Sequence, residues 1–174
     1  MSRQKDKSRE SGKFKIEAED VNWNTHAEGK HSDFIGYEQL DSQSKVIQYA
    51  EIGDDYLIVL DKTPFYAESG GQVADKGSIK AEGIDLVVVD VQKNNDMIIH
   101  ICKGKVESWE NIDNVICLAD EDYRFPIKRN HTATHLLHAA LKTVLGDQVQ
   151  QAGSLVHPEY LRFDLTYFEK ITAD

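Results

Sequence analysis

The chain has 174 residues, of which 40% are apolar, and a formal net charge of −10 from 20 basic and 30 acidic side chains. This length and apolar content allow one domain, or two small ones, with a sizeable buried core. The negative charge repels polyanions and argues mildly against a general nucleic-acid-binding protein. Apolar runs such as residues 84–91 are far shorter than the ~20 residues that cross a bilayer, so we expect a soluble, cytoplasmic protein without a membrane partner.

Residues 1–33 are polar, rich in charge and without a sustained hydrophobic period, which is typical of a linker or a loosely attached end. Residues 34–121 instead contain short alternating or apolar runs separated by turn-forming residues. Gly53 and residues 93–96 lie between such runs, as hairpin connections do. Short strands at this spacing, with no helix between them, predict a small antiparallel β-barrel or sandwich, of which we favour the barrel.

The hydrophobic period changes at Asp122, where a helix of five to six turns is predicted to begin. Asp120 or Asp122 can cap its start, and Pro126 fits near its first turn. Gly146 suits the left-handed position that ends a helix.

After the helix, residues 152–167 alternate around a His-Pro-Glu turn, which predicts a two-stranded hairpin. One helix and two strands cannot enclose that helix on all sides, so we expect residues 122–174 to be an incomplete domain and the whole chain to have an α+β fold. The helix residues expected to face the core, and to stay partly uncovered, are Leu137, Leu141, Val144 and Leu145.

Three histidines lie on the predicted helix. His131 and His135 are four residues apart, so they stand one above the other and can share one ion, and His138 falls on the same stripe. This stripe lies about 120° from the apolar residues, so the histidines are expected to flank the core face. A pair with this spacing suits zinc, but it is equally common on an ordinary polar helix edge. A metalloprotease is excluded because Thr132 occupies the place of the required glutamate.

Two histidines do not complete a zinc site, which usually has four ligands. The only later histidine, His157, lies in a predicted turn, and both cysteines are upstream in predicted strands. Either the metal interpretation is wrong, or the remaining ligands lie beyond residue 174.

Basic side chains are concentrated in two places. The first fifteen residues hold six basic and two acidic side chains, a pattern more typical of a solvated end than of an arm that binds nucleic acid. Arg124, Lys128 and Arg129 precede the histidines, where a phosphate group could approach the same site.

Four segments together resemble one family. The stretch LDKTPFYAESGGQVADKG at 60–77 looks like the barrel that precedes the editing domain of alanyl-tRNA synthetases. RNHTATHLLHAAL at 129–141, followed by QQAGSLV at 150–156 and LRFDLTY at 161–167, resembles the start of that editing domain. The resemblance implies that residues 122–174 are a truncated α/β editing domain and that the chain is an internal piece of such an enzyme.

In that family zinc is held by an HxxxH pair and a later CxxxH pair. His131 and His135 match the first pair, while the second is absent from the sequence and is expected beyond residue 174. The whole enzyme attaches alanine to its tRNA using ATP, and no ATP-binding motif of a class II synthetase is visible here, so ATP is expected only in another region.

The resemblance also implies a reaction, the hydrolysis of serine or glycine wrongly esterified to alanine tRNA. A pocket for alanine cannot strongly reject a smaller side chain or an added hydroxyl, so a second site must remove the errors. Thr134, Gln151 and Ser154 match positions that the family uses around its editing pocket. From the residues alone, an ordinary helix or turn polar group is the favoured interpretation of all three. Gly70, Gly71 and Gln72 are expected to form a loop at the cleft, with roles left open.

Two alternatives remain beside the synthetase interpretation. A free-standing editing protein of the same superfamily shares the barrel and the HxxxH helix. A non-catalytic module that only guides tRNA would use the barrel and the basic start of the helix. On the leading interpretation the isolated chain is expected to be inactive, because its zinc site is half complete.

Overall fold

The computed structural model describes residues 21–29, 31–110 and 112–168. Its strands and its helix, in chain order, are β1 (Asn24–Thr25), β2 (Asp33–Phe34), β3 (Asp41–Ser44), β4 (Val46–Ile52), β5 (Asp55–Leu60), β6 (Lys62–Thr63), β7 (Gly77–Ala81), β8 (Ile84–Asn94), β9 (Met97–Val106), β10 (Val115–Ala119), α1 (Glu121–Leu145), β11 (Gln150–Val156) and β12 (Leu161–Thr166). No helix in this part of the chain is long and apolar enough to span a membrane.

Eight strands form one antiparallel sheet in the order β1-β4-β5-β9-β8-β7-β10-β3. Lys45 alone separates β3, at one edge, from β4, which is second from the other edge. Because one residue spans less than 4 Å, the two edges must approach each other and the sheet must curl. The prediction of an antiparallel, barrel-like sheet is confirmed in the form of this curled sheet. A parallel β2–β6 pair and an antiparallel β11–β12 hairpin complete the strands of the described residues.

The turn chemistry of the sequence places the hairpins correctly. Gly53 joins β4 to β5 with a φ of 61°, a left-handed conformation that glycine adopts without strain. Asn95 joins β8 to β9 with a φ of 53°, which asparagine tolerates better than most residues. The predicted strands over 84–102 are therefore confirmed, as is the hairpin around the His-Pro-Glu turn.

Apolar residues cover both faces of part of the sheet. The larger cluster lies inside the curl and includes Ile58, Phe65 and Leu86, each fully buried. A smaller cluster on the outer face of β4, β5 and β9 is covered by Val21 and Trp23. The segment 21–29 therefore lies against the sheet, and β1 pairs with β4. Residues 1–20, the rest of the segment predicted to be a linker or loose end, lie outside the described residues.

Helix α1 begins and ends where local sequence directs. The Asp120 carboxylate accepts the Tyr123 backbone N–H at 3.1 Å, and Gly146 ends the helix with a φ of 98°. With Asp120 as the cap, Pro126 lies in the second turn, where the missing N–H removes one helical hydrogen bond. The helix has 25 residues, more than the predicted five to six turns.

The predicted inner face of α1 is partly wrong. Its buried residues are Arg124, Ile127 and Thr134, and His131 and His138 lie half-buried on the same stripe at spacings of three and four residues. Of the four residues expected at the core, Leu137 and Val144 are 39% and 79% exposed, while Leu141 and Leu145 are half-buried and continue this stripe. The inner stripe therefore runs from Arg124, which makes long-range contacts, to only part of the predicted aliphatic set.

A buried ion pair fixes the start of α1 to the sheet. The Arg124 guanidinium donates from Nε to Asp75 Oδ1 at 3.1 Å, from Nη2 to Asp75 Oδ2 and to the Pro64 carbonyl, and from Nη1 to the Gly36 carbonyl at 2.9 Å. Asp75 also accepts the Tyr66 backbone N–H at 2.6 Å. Arg124 is therefore unavailable for the phosphate contact predicted for it, because all its acceptors are internal.

We expect Asp75→Asn to lower the free energy of unfolding by about 3–5 kcal/mol, because it leaves the Arg124 charge buried without a counter-charge. The decrease in the free energy of unfolding is measured by urea titration monitored by circular dichroism. The control is Asp85→Asn, which removes an exposed ion pair to Lys80 at 3.2 Å and should change stability by less than about 1 kcal/mol. Equal effects of the two substitutions would contradict the proposed attachment.

His100 should make stability depend on pH. It is fully buried, its Nδ1–H donates to the Ile58 carbonyl at 2.9 Å, and its Nε2 accepts the Thr63 hydroxyl at 2.7 Å. Burial lowers the pKa of His100 from 6.5 to about 4. Since the unfolded chain binds this proton below about pH 6.5 and the folded chain does not, the free energy of unfolding should fall by about 2 kcal/mol from pH 7 to 5.

Urea unfolding at several pH values tests this expectation. His100→Gln should remove most of that pH-dependent loss, whatever its effect at pH 7. His31→Gln changes an exposed histidine beside Asp33 and should leave the loss in place. If the His100 variant does not fold, NMR titration of the unaltered chain still decides, since a His100 imidazole that protonates near pH 6.5 would contradict the prediction.

Candidate functional site

The turn at residues 69–72, which we call the glycine turn, packs against the β11–β12 hairpin. Gly70 and Gly71 have φ values of 59° and 84°. A Cβ on Gly71 would lie 2.5 Å from the Ser154 carbonyl oxygen and 2.6 Å from its hydroxyl, so only glycine fits. The Gly71 carbonyl accepts the Val156 N–H at 2.7 Å, and the Val73 N–H donates to the Val156 carbonyl at 3.1 Å. These contacts fix the glycine turn to the end of β11.

Gln72 connects the glycine turn to α1. Its Oε1 lies 2.7 Å from Nδ1 of His131. Because an amide oxygen only accepts, His131 Nδ1 carries the proton and Nε2 keeps a free lone pair. The His131 and His135 rings follow each other along the helix, with centroids 5.0 Å apart. His131 is half-buried and His135 is exposed, so the pair faces an open space beside the glycine turn.

The histidine pair supplies two imidazole nitrogens for a metal ion. Across residues 21–29, 31–110 and 112–168, no group of three or more His, Cys, Asp or Glu side chains is placed to hold one. His138 packs against Phe163, with ring centroids 5.2 Å apart, and its buried Nε2 has no hydrogen-bond partner among these residues. His157 lies in the hairpin turn, stacked on Tyr160. The described donors therefore fit half of a tetrahedral zinc site.

Of the other three predicted site residues, the structure brings two together. Gln151 Nε2 donates to the Ser154 hydroxyl at 3.0 Å, and that hydroxyl donates to the Gly70 carbonyl at 3.5 Å. Thr134 is 7% exposed on the inner stripe of α1, and its hydroxyl donates to the Asn130 carbonyl at 2.8 Å, one turn back. Thr134 thus makes the helical back-bond that is usual for a threonine in mid-helix.

Asn130 has a positioning role that the sequence reading missed. Its side-chain amide donates to the carbonyls of His157 and Pro158 at 2.7 and 3.2 Å. It therefore holds the hairpin turn against α1, one residue before the histidine pair. The sequence offered one signal for this role, because asparagine has a low helix propensity and is unusual in the interior of a predicted helix.

A cleft of about 410 Å³ opens beside Gln72 and His131. Of the loop expected at a cleft, only Gln72 lines it, and its other walls were not predicted because they come from distant parts of the chain. Burial raises the pKa of its Tyr66 hydroxyl, as do the nearby Tyr37 and Asp75, so this hydroxyl stays protonated at neutral pH. The residues that line the cleft are Phe34, Gly36, Tyr37, Tyr66, Gln72, Arg124, Lys128, His131 and Thr132.

Known proteins resemble the whole chain. The family model described as tRNA synthetases class II (A) matches residues 1–123. Alanine–tRNA ligases of Chlorobaculum tepidum and Francisella philomiragia are each 41% identical, over 100% and 99% of this chain and 21% and 20% of their own length. That of Acetivibrio thermocellus is 44% identical over 82% of the chain and 17% of its own length.

The chain thus spans about one fifth of the length of these curated relatives. The similarity extends past the family model to α1 and the β11–β12 hairpin, since the Chlorobaculum tepidum relative matches all of the chain. The resemblance to alanyl-tRNA synthetases expected from the motifs is confirmed, and the chain belongs to the class II tRNA synthetases (A).

Proposed function

We propose that this chain is part of an alanine–tRNA ligase, a cytoplasmic enzyme that attaches alanine to its tRNA using ATP. The name and the whole-chain similarity of the relatives support this assignment. We place ATP binding in a part of the ligase that these residues do not match. Within the enzyme we assign the chain to the module that hydrolyses alanine tRNA mischarged with serine or glycine.

The observation that carries the editing assignment is the 2.7 Å contact between Gln72 and His131. It joins the glycine turn to the histidine helix and fixes which imidazole nitrogen is free. A histidine that donates its Nδ1–H to an acceptor and leaves Nε2 open has the hydrogen bonding typical of metal-ligating imidazoles. A solvated polar helix edge would not require this contact.

We propose that His131 and His135 hold zinc, with His131 using Nε2. Two imidazoles fit part of the tetrahedral set that zinc prefers, and the remaining ligands would come from residues other than those described. When bound, zinc supplies a positive charge that polarises an ester carbonyl or lowers the pKa of a bound water.

Editing of this kind is an ester hydrolysis. Water adds its oxygen to the ester carbonyl carbon, the bond from that carbon to the ribose oxygen breaks, and the ribose oxygen gains a proton. The residues of this chain would position the ester and the water, which is a large part of the rate in such reactions. The Gly71–Ser154 contact places the glycine turn and β11 together as one wall of this site.

We assign recognition of the mischarged serine to Ser154 and Gln151, with Thr134 as a further hydroxyl beside the histidine pair. The Ser154 hydroxyl and the Gln151 amide already lie 3.0 Å apart and can exchange that bond for one to a substrate hydroxyl. Such a contact favours the serine ester over the correct alanine ester, because alanine has no hydroxyl to form it.

Hydrolysis of seryl-tRNA(Ala) tests this function. We compare the 174-residue chain with a chimera in which the Chlorobaculum tepidum ligase sequence that follows the matched region is joined to its end. We expect no measurable deacylation by the chain alone, since its described ligand set is half complete, and clear deacylation by the chimera. His131→Ala and His135→Ala should each lower the chimera's rate by about 100-fold or more, by loss of a metal ligand.

His138→Gln in the chimera is the matched control, since His138 lies on the same helix but contacts Phe163. It should retain activity and bound zinc. Zinc-dependent hydrolysis by the chain alone would contradict the ligand count. Full activity of both alanine variants would contradict the assignment of the histidine pair.

Gln72 should act on metal affinity through His131. Gln72→Leu removes the acceptor of the His131 Nδ1–H, so we expect the chimera to bind zinc about 10- to 100-fold more weakly, measured by competition with a chelating dye. Gln39→Leu, at an exposed glutamine outside the cleft, is the control and should leave zinc affinity unchanged. Equal affinity of the Gln72 variant and the unaltered chimera would show that this hydrogen bond does not position a ligand.

A further inference from the structure

The cleft beside the histidine pair has one aromatic wall. Phe34 and Tyr37 meet edge to face with ring centroids 4.9 Å apart, and Phe34 meets Tyr66 in the same way at 5.8 Å. Tyr37 is 81% exposed, so one face of its ring is open to solvent. A large aromatic side chain held against other rings and yet this exposed is characteristic of a surface on which a flat ligand stacks.

Another wall is formed by α1, with Lys128, His131 and Thr132. Arg124 also lines the cleft, but its charge is neutralised by Asp75. Lys128 is exposed and has no ion-pair partner in the described ranges, so it is the cation of the cleft that remains free for an anion. Stacking rings facing one free cation match a nucleoside with an attached phosphate.

We propose that this cleft binds the terminal adenosine of the RNA substrate, with the base stacked on Tyr37 and Lys128 paired with the phosphate on its 5′ side. The proposal rests on the editing function proposed above and adds to it the binding site of the nucleoside that carries the ester. Gln72 and His131 line the cleft as well, so a base stacked there brings its ribose beside the histidine pair.

The size and the chemistry of the cleft agree with this ligand. Its volume of about 410 Å³ is within the range of sites that enclose small ligands. The Tyr66 hydroxyl donates to the Ser69 carbonyl at 3.4 Å and keeps its oxygen lone pairs as acceptors for an amino or hydroxyl group of a ligand. A chain with a net charge of −10 gains little from general attraction to RNA, so a local stacking site has to supply much of the affinity.

The test measures binding of uncharged RNA, which needs no hydrolysis. The probe is a 5′-fluorescent single-stranded RNA that ends in CCA, titrated with the 174-residue chain and followed by anisotropy. We expect Tyr37→Ala to weaken binding about fivefold or more and Tyr37→Phe to retain it, because stacking needs the ring and not the hydroxyl. Lys128→Gln should weaken binding and reduce the salt dependence by about one phosphate contact.

Tyr160→Ala is the control, since Tyr160 is 51% exposed and lies outside the cleft. It should bind like the unaltered chain. No measurable binding by the unaltered chain, or equal binding by the Tyr37→Ala variant, would overturn the proposal.

Deacylation by the chimera separates this proposal from the editing function. If the chimera hydrolyses seryl-tRNA(Ala) and Tyr37→Ala leaves its KM unchanged, the cleft assignment alone is wrong. If the probe binds as expected but the chimera never hydrolyses the ester, the editing function is wrong and the nucleoside site stands.

Discussion

The buried pair of Arg124 and Asp75 is the interaction on which the candidate site depends. Asp75 lies three residues after Gln72 in the same loop, and Arg124 lies seven residues before His131 on the same helix. Seven residues are almost two turns, or about 10 Å along the axis, so Arg124 and His131 project from one face. The loop therefore holds the helix at two points, through Asp75 and through Gln72. Two attachments fix both the position and the rotation of α1, which one contact cannot do.

Burying a guanidinium requires that its donors find acceptors, because an unpaired charge in the interior is strongly destabilising. The carbonyls of Gly36 and Pro64 meet this requirement together with the Asp75 carboxylate. They belong to the two connections that follow β2 and β6, so the same ion pair also holds the segments that carry Tyr37 and Tyr66. The aromatic wall of the cleft and the histidine wall are thus positioned by one charged group, and a change at that group should disturb both.

Local chemistry explains what the sequence could predict. The hairpin turns at Gly53 and Asn95, the cap at Asp120 and the end of α1 at Gly146 each depend on neighbours within a few residues. The curled sheet followed from the alternation of short strands, and its hairpins confirm that reading.

The parts that could not be predicted depend on contacts between distant residues. Leu137 and Val144 were expected on the inner face of α1 but are exposed, while the buried start of that face depends on a carboxylate 49 positions away from Arg124. In the sequence Arg124 cannot be distinguished from an exposed cation, because only its partner makes burial favourable. The other walls of the cleft were missed for the same reason, since Phe34, Tyr66 and Lys128 share no motif. The histidine pair was found because its two members are neighbours on one helix.

The charge distribution then determines how such a site can engage RNA. Once Arg124 is neutralised by Asp75, two cations remain in this region of α1, and Arg129 lies over the ring of Phe125. The whole chain carries an excess of ten negative charges, so long-range attraction of an RNA backbone cannot dominate binding. In the proposed complex, specific short-range contacts do so instead, namely stacking on an exposed ring and one phosphate contact. Such contacts act only on an unpaired, exposed base, so they favour the single-stranded end of an RNA over its helical regions. That single-stranded end is where an aminoacyl ester is attached.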